Sequence, residues 1–312
     1  MNLSQLGEFG LIRRLARTSR PSAGVALGIG DDAAAVSPRG KDKLLLLTCD
    51  PVIESVHFDS HATPFQIGWK AMARNLSDIA AMGGTPLHAL VAASLPRKTS
   101  VAKAIGIHKG LTAAAQRHGV SIVGGDTSHN AHGIHLTVTV IGEVARRNMI
   151  TRAGARVGDL VCVTGSLGGS ILGKHLKFEP RLREARFLAQ RFYPTSMMDL
   201  SDGLASDLQR LAEQSRVGFE IHADSLPISP ALRSQQLKPR KEIRHAMRDG
   251  EDYELLFTLP SRKFTGLQRE WRRHFKLRLT CVGVVRPKSF GIQLVDDHTR
   301  SRPRATNDHF RA

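Results

Sequence analysis

Residues 196–215, SMMDLSDGLASDLQRLAEQS, read as an apolar strand ending at Asp199, a polar turn through Ser201, Asp202 and Gly203, and a helix from Leu204 onward. In α/β architecture, ligands gather beyond such strand ends. Three more apolar segments end the same way: LGIGDDAAAV (27–36), LLLLTCDPV (44–52) and SIVGGDTS (121–128). Together they supply Asp31, Asp32, Asp50, Asp126, Asp199 and Asp202. Any one of these aspartates is an ordinary turn former or helix cap. Their recurrence in a chain with 45 Lys and Arg but only 28 Asp and Glu asks for a further reason.

Another carboxylate lies on the best-marked helix, TPFQIGWKAMARNLSDIAAMGG (63–84). Thr63 suits its cap, Pro64 its first position, Gln66 completes a capping box and Gly83 ends it. Asp78 then falls near the C-terminal end, where the helix dipole disfavours a carboxylate, so some other group must hold that charge. Carboxylates brought together repel and raise one another's pKa values unless divalent cations neutralise them. An all-oxygen donor set, with no paired Cys or His, suits Mg²⁺ rather than Zn²⁺. Gly28, Gly30, Gly124 and Gly125 adjoin these aspartates and would let backbone N–H groups approach phosphates. The residues by themselves therefore predict a metal–phosphate site.

Strand-like runs alternate with helix-like stretches, which predicts an α/β (α+β) protein of two domains divided near residue 147, as 1–147 and 148–312. Composition narrows the function further. No apolar run approaches the roughly 20 residues of a membrane span, and residues 1–20 lack the apolar block of a secretory signal. Cys49, Cys162 and Cys281 are far apart in sequence, form no CxxC pair and suggest neither a disulfide framework nor a zinc site, so a cytoplasmic location is expected. Cys162 and Cys281 read as core residues. The net charge of +17 would attract polyanions, yet aromatics are only 5% and no nucleic-acid motif occurs, so neither nucleic acid nor membrane is an expected partner.

One stretch competes with the aspartates. VTGSLGGSILGKH (163–175) has Gly168, Gly173 and Lys174 at P-loop spacing, but His175 occupies the position where a P-loop places a Ser or Thr hydroxyl on Mg²⁺. Lys174 therefore reads as a helix-surface residue.

The ordered set GEFGLIRRL, GIGDDAA, CDPVIESVHF, NLSDIAAMG, GGDTS, TRAGARVGD, MMDLSDGLASDL and GEDYELLF resembles the thiamine-monophosphate kinases, within the aminoimidazole-ribonucleotide synthetase-like superfamily. The resemblance implies a two-domain PurM-like fold, whose N-terminal sheet contributes to a β-barrel shared in a homodimer and whose C-terminal domain is an α/β sandwich. It implies phosphorylation of thiamine monophosphate by ATP to thiamine diphosphate. It assigns Asp32, Asp50, Asp78, Asp126, Asp199 and Asp202 to Mg²⁺. It gives ATP the residues Thr48, Gly125, Asp126, Arg152 and Ser201, gives thiamine monophosphate His57 and Glu251, and makes Asp126, Arg152 and Asp202 catalytic. The acceptor is a phosphate oxygen, already anionic near neutral pH, so in-line transfer needs no general base. The runner-up is another ATP-dependent enzyme of the superfamily acting on a different small substrate. Four features depart from the family pattern: Cys49, His118 and Asp249, and a tail, ATNDHF (305–310), without the usual preceding aromatic.

Overall fold

The computed structural model describes residues 5, 8–18, 24–38, 42–296 and 300–303, so the tail motif around Phe310 lies outside the described residues. The first sheet draws on β1 (Val25–Leu27), β2 (Ala34–Val36), β3 (Lys43–Ile53), β4 (Thr85–Leu95), β5 (Ser121–His129) and β6 (His135–Ala145). Its spatial order is β1-β2-β3-β6-β4-β5, antiparallel throughout except for the parallel β4–β5 pair. Helix α1 (Glu8–Thr18) precedes it, while α2 (Pro64–Ala81) and α3 (Val101–Arg117) pack together beside it.

The second sheet contains β7 (Asp159–Thr164), β8 (Ser196–Asp199), β9 (Val217–His222), β10 (Leu255–Pro260), β11 (Leu279–Pro287), β12 (Ile292–Val295) and β13 (Arg300–Ser301), in the order β13-β12-β9-β11-β7-β10-β8. Between these strands run α4 (Leu182–Arg191), α5 (Leu204–Ser215), α6 (Pro230–Arg233), α7 (Pro239–Arg248) and α8 (Ser261–His274).

Helix α2 is the centre of the molecule. The capping box forms as its sequence predicts: Gln66 N–H donates to Thr63 Oγ1 at 3.3 Å and Thr63 N–H to Gln66 Oε1 at 2.9 Å. Ile67, Trp69, Ala71, Met72, Ala73, Leu76, Ile79 and Ala80 are all buried, covering most of its circumference. A helix apolar all round must be enclosed, and α2 contacts β3 and β6 on one side and α4 and β8 on the other. One continuous core accordingly joins Leu44, Leu46 and Val140 of the first sheet to Leu188, Met197 and Phe257 of the second half. The period-2 alternation of β3 puts Thr48 on the same inward face as Leu44 and Leu46, which aims its hydroxyl at the C-terminal end of α2.

The α2–α3 crossing depends on glycine. A Cβ on Gly68 would stand 1.9 Å from the carbonyl oxygen of Ile107, and one on Gly110 would stand 2.0 Å from that of Phe65. Because backbone cannot yield as a side-chain tip can, Gly110→Ala should force the helices apart and destabilise by about 1–3 kcal/mol. Gly266 on α8 faces open space, so Gly266→Ala should instead stabilise by about 0.5–1 kcal/mol. Denaturant melts of the two variants against wild type check both signs.

Candidate active site

Asp32, Asp78 and Asp199, far apart in sequence, meet with one carboxylate oxygen from each within 4.8 Å of the others. Each arrives by a different element: the turn after β1, the last turns of α2 and the end of β8. Thr48 O–H donates to Asp78, and Ser77 O–H donates to Asp199 at 2.6 Å. These two hydroxyls are insufficient to offset burial. Desolvation, then the charges of Asp50, Asp199 and Asp32, push the Asp78 carboxyl well above the ordinary aspartate range. Desolvation and the nearby Asp32 push Asp199 up to about 7, and the same pair of causes acts on Asp31, again to about 7. Three half-buried or buried carboxylates with no sulfur or nitrogen donor among them form a fitting place for a hard divalent cation.

Arg152 stands at the edge of the cluster. Its Nη2 and Nε donate to Asp32 at 2.5 and 3.2 Å, and its backbone N–H donates to Asp31 at 3.0 Å. Asp50 lies close enough to raise Asp78 but pairs with Arg74 at 3.3 Å, and its backbone N–H donates to Asn75 at 2.9 Å. Asp126 and Asp202 lie outside the three-carboxylate group. Asp126 is exposed on the edge strand β5, while Asp202 forms an ion pair with Arg210, which also binds the buried Asp207 at 2.6 Å. Beside Asp126, Gly125 meets β4 so closely that a Cβ there would lie 1.8 Å from the carbonyl oxygen of Val91.

The second constellation joins His57 and Glu251. Glu251 adopts a left-handed φ of 63° and is pinned by its N–H to the Ser201 carbonyl at 2.7 Å and by Ser170 O–H to its own carbonyl at 2.6 Å. Lys70, fully buried on α2, pairs with the Glu251 carboxylate at 2.7 Å and donates to the His57 carbonyl. His57 is buried, and its Nδ1 accepts the Ile53 N–H at 3.1 Å. Burial pulls the Lys70 ammonium down to about 8, with Glu251 opposing that shift. Sequence reading overlooked Lys70. The available signal was a lysine inside an apolar helix, since a buried ammonium needs partners.

The near P-loop stretch has another role. Lys174 is not a free helix-surface residue: its ammonium binds Glu254 at 2.7 Å, where Arg181 also binds at 2.6 and 2.7 Å and Thr164 donates at 2.8 Å. Gly168 N–H donates to the buried Asp252 at 2.9 Å, and Gly169 N–H to Asp249 at 2.8 Å. Asp249 therefore grips this loop and also approaches His245 Nδ1 at 3.0 Å. His118 ends α3 and lies 3.4 Å from Glu179. Among the described residues, no helix is long and apolar enough to cross a membrane.

Comparison with known proteins agrees with this arrangement. The AIR synthase related protein N-terminal domain matches residues 30–144 and the corresponding C-terminal domain residues 156–261. A thiamine-monophosphate kinase of Rhodopirellula baltica is 42% identical over 75% of this chain and 76% of its own length. That of Bacillus subtilis is 35% identical over 91% and 93%. A solved structure described as AaThiL complexed with AMPPCP and TMP superposes with a TM-score of 0.84 at 32% identity, covering 99% of each chain. The fold is thus the two-domain PurM-like fold.

Asp199 and Asp31, raised from 3.8 to about 7, hold protons in the folded chain that the unfolded chain has released. Stability is therefore lost as pH rises from about 4 through about 7, and the full penalty persists above. Metal-free protein should melt higher at about pH 6.5 than at about pH 8, with saturating Mg²⁺ narrowing the gap. Asp78→Asn removes one buried like charge, so it should raise the metal-free melting temperature by roughly 2–4 °C while abolishing the Mg²⁺-dependent rise. Thermal melts at both pH values, with and without Mg²⁺, test both statements.

Proposed function

The chain belongs to the thiamine-monophosphate kinase family, and on that premise we propose that it transfers the γ-phosphoryl group of ATP to thiamine monophosphate, giving thiamine diphosphate. The observation that carries the reading is the convergence of Asp32, Asp78 and Asp199 beside Arg152.

Asp32, Asp78 and Asp199 would hold Mg²⁺, with Asp50 adjoining them and Asp126 and Asp202 completing the set as side chains that ligand binding draws in. When bound, Mg²⁺ neutralises phosphate charge and so lowers the repulsion between donor and acceptor. The remaining steps belong to the chain's own groups. Arg152 presents a planar guanidinium whose carboxylate contacts are of the kind phosphate oxygens can replace. Thr48, Gly125 and Ser201 would line the nucleotide side, with Gly125 the residue whose missing Cβ lets β5 lie close against β4 at Val91. Glu251 offers a carboxylate to the thiazolium cation, and Lys70 fixes that carboxylate together with the His57 segment. No residue need remove a proton, since the attacking phosphate oxygen is already largely ionised near neutral pH.

Residues 1–147 act in this reading as the ATP- and Mg²⁺-binding and dimerisation half and 148–312 as its partner half, a division supported by the residue ranges of the two sheets. Homodimerisation is supported by the edge strand β5, whose outer backbone groups have no neighbouring strand among the described residues, and by Val123 on β5 and Leu90 on β4, exposed at 60% and 43%. A cytoplasmic location fits the free thiols.

Purified protein with ATP, Mg²⁺ and thiamine monophosphate should form thiamine diphosphate, measured by chromatography, and absence of that product would overturn the substrate. Asp126→Asn should slow turnover on the order of a hundredfold, and full activity in that variant would overturn its metal role. Glu251→Gln should raise KM for thiamine monophosphate about tenfold with KM for ATP little changed.

A further inference from the structure

Cys162 and Cys281 are separated by most of the second half in sequence, yet β7 and β11 place them directly opposite one another in an antiparallel pair. Opposed residues in such a pair put their side chains on the same face with Cα atoms about 4.5–5.5 Å apart. A disulfide needs Cα atoms about 4.4–6.8 Å apart, so the backbone already satisfies that requirement. The ladder shifts register immediately after, between Cys281 and Gly283, which loosens the strand on the Cys281 side.

Their surroundings differ. Cys162 is fully enclosed in the core, whereas Cys281 is half-buried and lines an open cavity of about 620 Å³. Arg272 on α8, and Lys276 and Arg278 on the segment leading into β11, line the same cavity, with Phe264 and Phe275 as its apolar wall. Partial exposure in an electropositive setting is the environment that makes a thiol reactive. The hydrogen bond from the Cys162 thiol, opposed by burial, draws the Cys281 thiol down to about 6, while burial pushes Cys162 well above its usual range. Cys281 is therefore the sulfur that a reagent in the cavity meets first, and Cys162 the one that faces it from the core.

We propose that Cys281 and Cys162 form a redox-active dithiol in which Cys281 reacts with a hydroperoxide entering the cationic cavity and Cys162 closes an intrachain cross-strand disulfide. The Cys281 thiolate attacks one peroxide oxygen, the O–O bond breaks, and the departing hydroxide takes up a proton as water. Cys162 then attacks the sulfur of the resulting sulfenic acid. The S–S bond forms, the S–O bond breaks, and hydroxide leaves with the Cys162 proton as a second water. Two thiols lose two electrons and hydrogen peroxide gains them. The site lies apart from the carboxylate cluster and does not depend on the kinase reading.

The test treats the purified full chain with hydrogen peroxide, blocks remaining thiols with N-ethylmaleimide after unfolding, and maps peptides without reductant. The expected result is a joined pair of peptides carrying Cys162 and Cys281, two hydrogens lighter than their sum and separated by dithiothreitol, with Cys49 alkylated as a free thiol. In Cys162→Ala, Cys281 should instead accumulate as a sulfenic acid captured by dimedone. In Cys281→Ala, Cys162 should stay unreacted in its enclosed position. Oxidation of exposed Cys49 ahead of Cys281 would overturn the proposal. So would oxidation of Cys281 with Cys162 still free in the wild type, or the absence of a dimedone adduct in a folded Cys162→Ala.

Discussion

The enclosure of α2 is the constraint on which the remaining structure depends. A helix buried on nearly every side must have its polar residues matched, and α2 carries Lys70, Arg74, Asn75, Ser77 and Asp78. Each has a partner drawn from elsewhere: Glu251 for Lys70, Asp50 for Arg74 and Asn75, Asp199 for Ser77 and Thr48 for Asp78. Lys70, Arg74 and Asp78 recur every four residues, so they form one stripe along the helix. The ends of that stripe are about 12 Å apart at the α-helical rise. The helix therefore sets the spacing between the Glu251 constellation and the carboxylate cluster, and the close glycine crossing with α3 keeps it in place.

The two ends of the stripe are electrostatically opposite. At the Lys70 end, a buried cation has found a carboxylate and a carbonyl, so the charges are balanced within the chain. At the Asp78 end, the helix C-terminus, burial and neighbouring aspartates all act against the ionised form, and the Thr48 hydroxyl, Arg74 beside Asp50 and the Arg152 pairing with Asp32 relieve it in part. An unbalanced concentration of negative charge at one end and a balanced pair at the other suit different ligands. In the proposed reading, the former would take cations that themselves hold phosphate, and the latter would offer one partly exposed carboxylate to an organic cation.

Much of this was legible in the sequence because it rests on local rules. Caps and aspartates placed after apolar runs identified α2, β3, the turn at Asp32 and the end of β8, and with them a set of aspartates that includes the three of the cluster. What escaped was long-range pairing. Arg74 claims Asp50 from another element, and nothing in the local sequence of that aspartate predicts its partner; Arg210 lies only eight residues beyond Asp202 and claims it from the helix that follows. Lys70 required knowing that its whole helix is enclosed. The facing of Cys162 and Cys281 required the strand order β11-β7, which two cysteines far apart in sequence cannot disclose.

The stretch at 163–175 shows why spacing and chemistry must be judged separately. A P-loop works because its backbone N–H groups are left pointing into an empty cradle for phosphate oxygens. Here Gly168 and Gly169 do take positive φ values of 79° and 70°, as such a turn requires. Their N–H groups, however, already donate to Asp252 and Asp249, and Lys174 is committed to Glu254. A phosphate arriving at this loop would have to displace carboxylates from Gly168, Gly169 and Lys174. The loop instead uses anion-binding geometry on the protein's own acids. That fixes the segment carrying Asp249 and Glu251 against β7, and so holds Glu251 in the strained backbone conformation from which it faces Lys70.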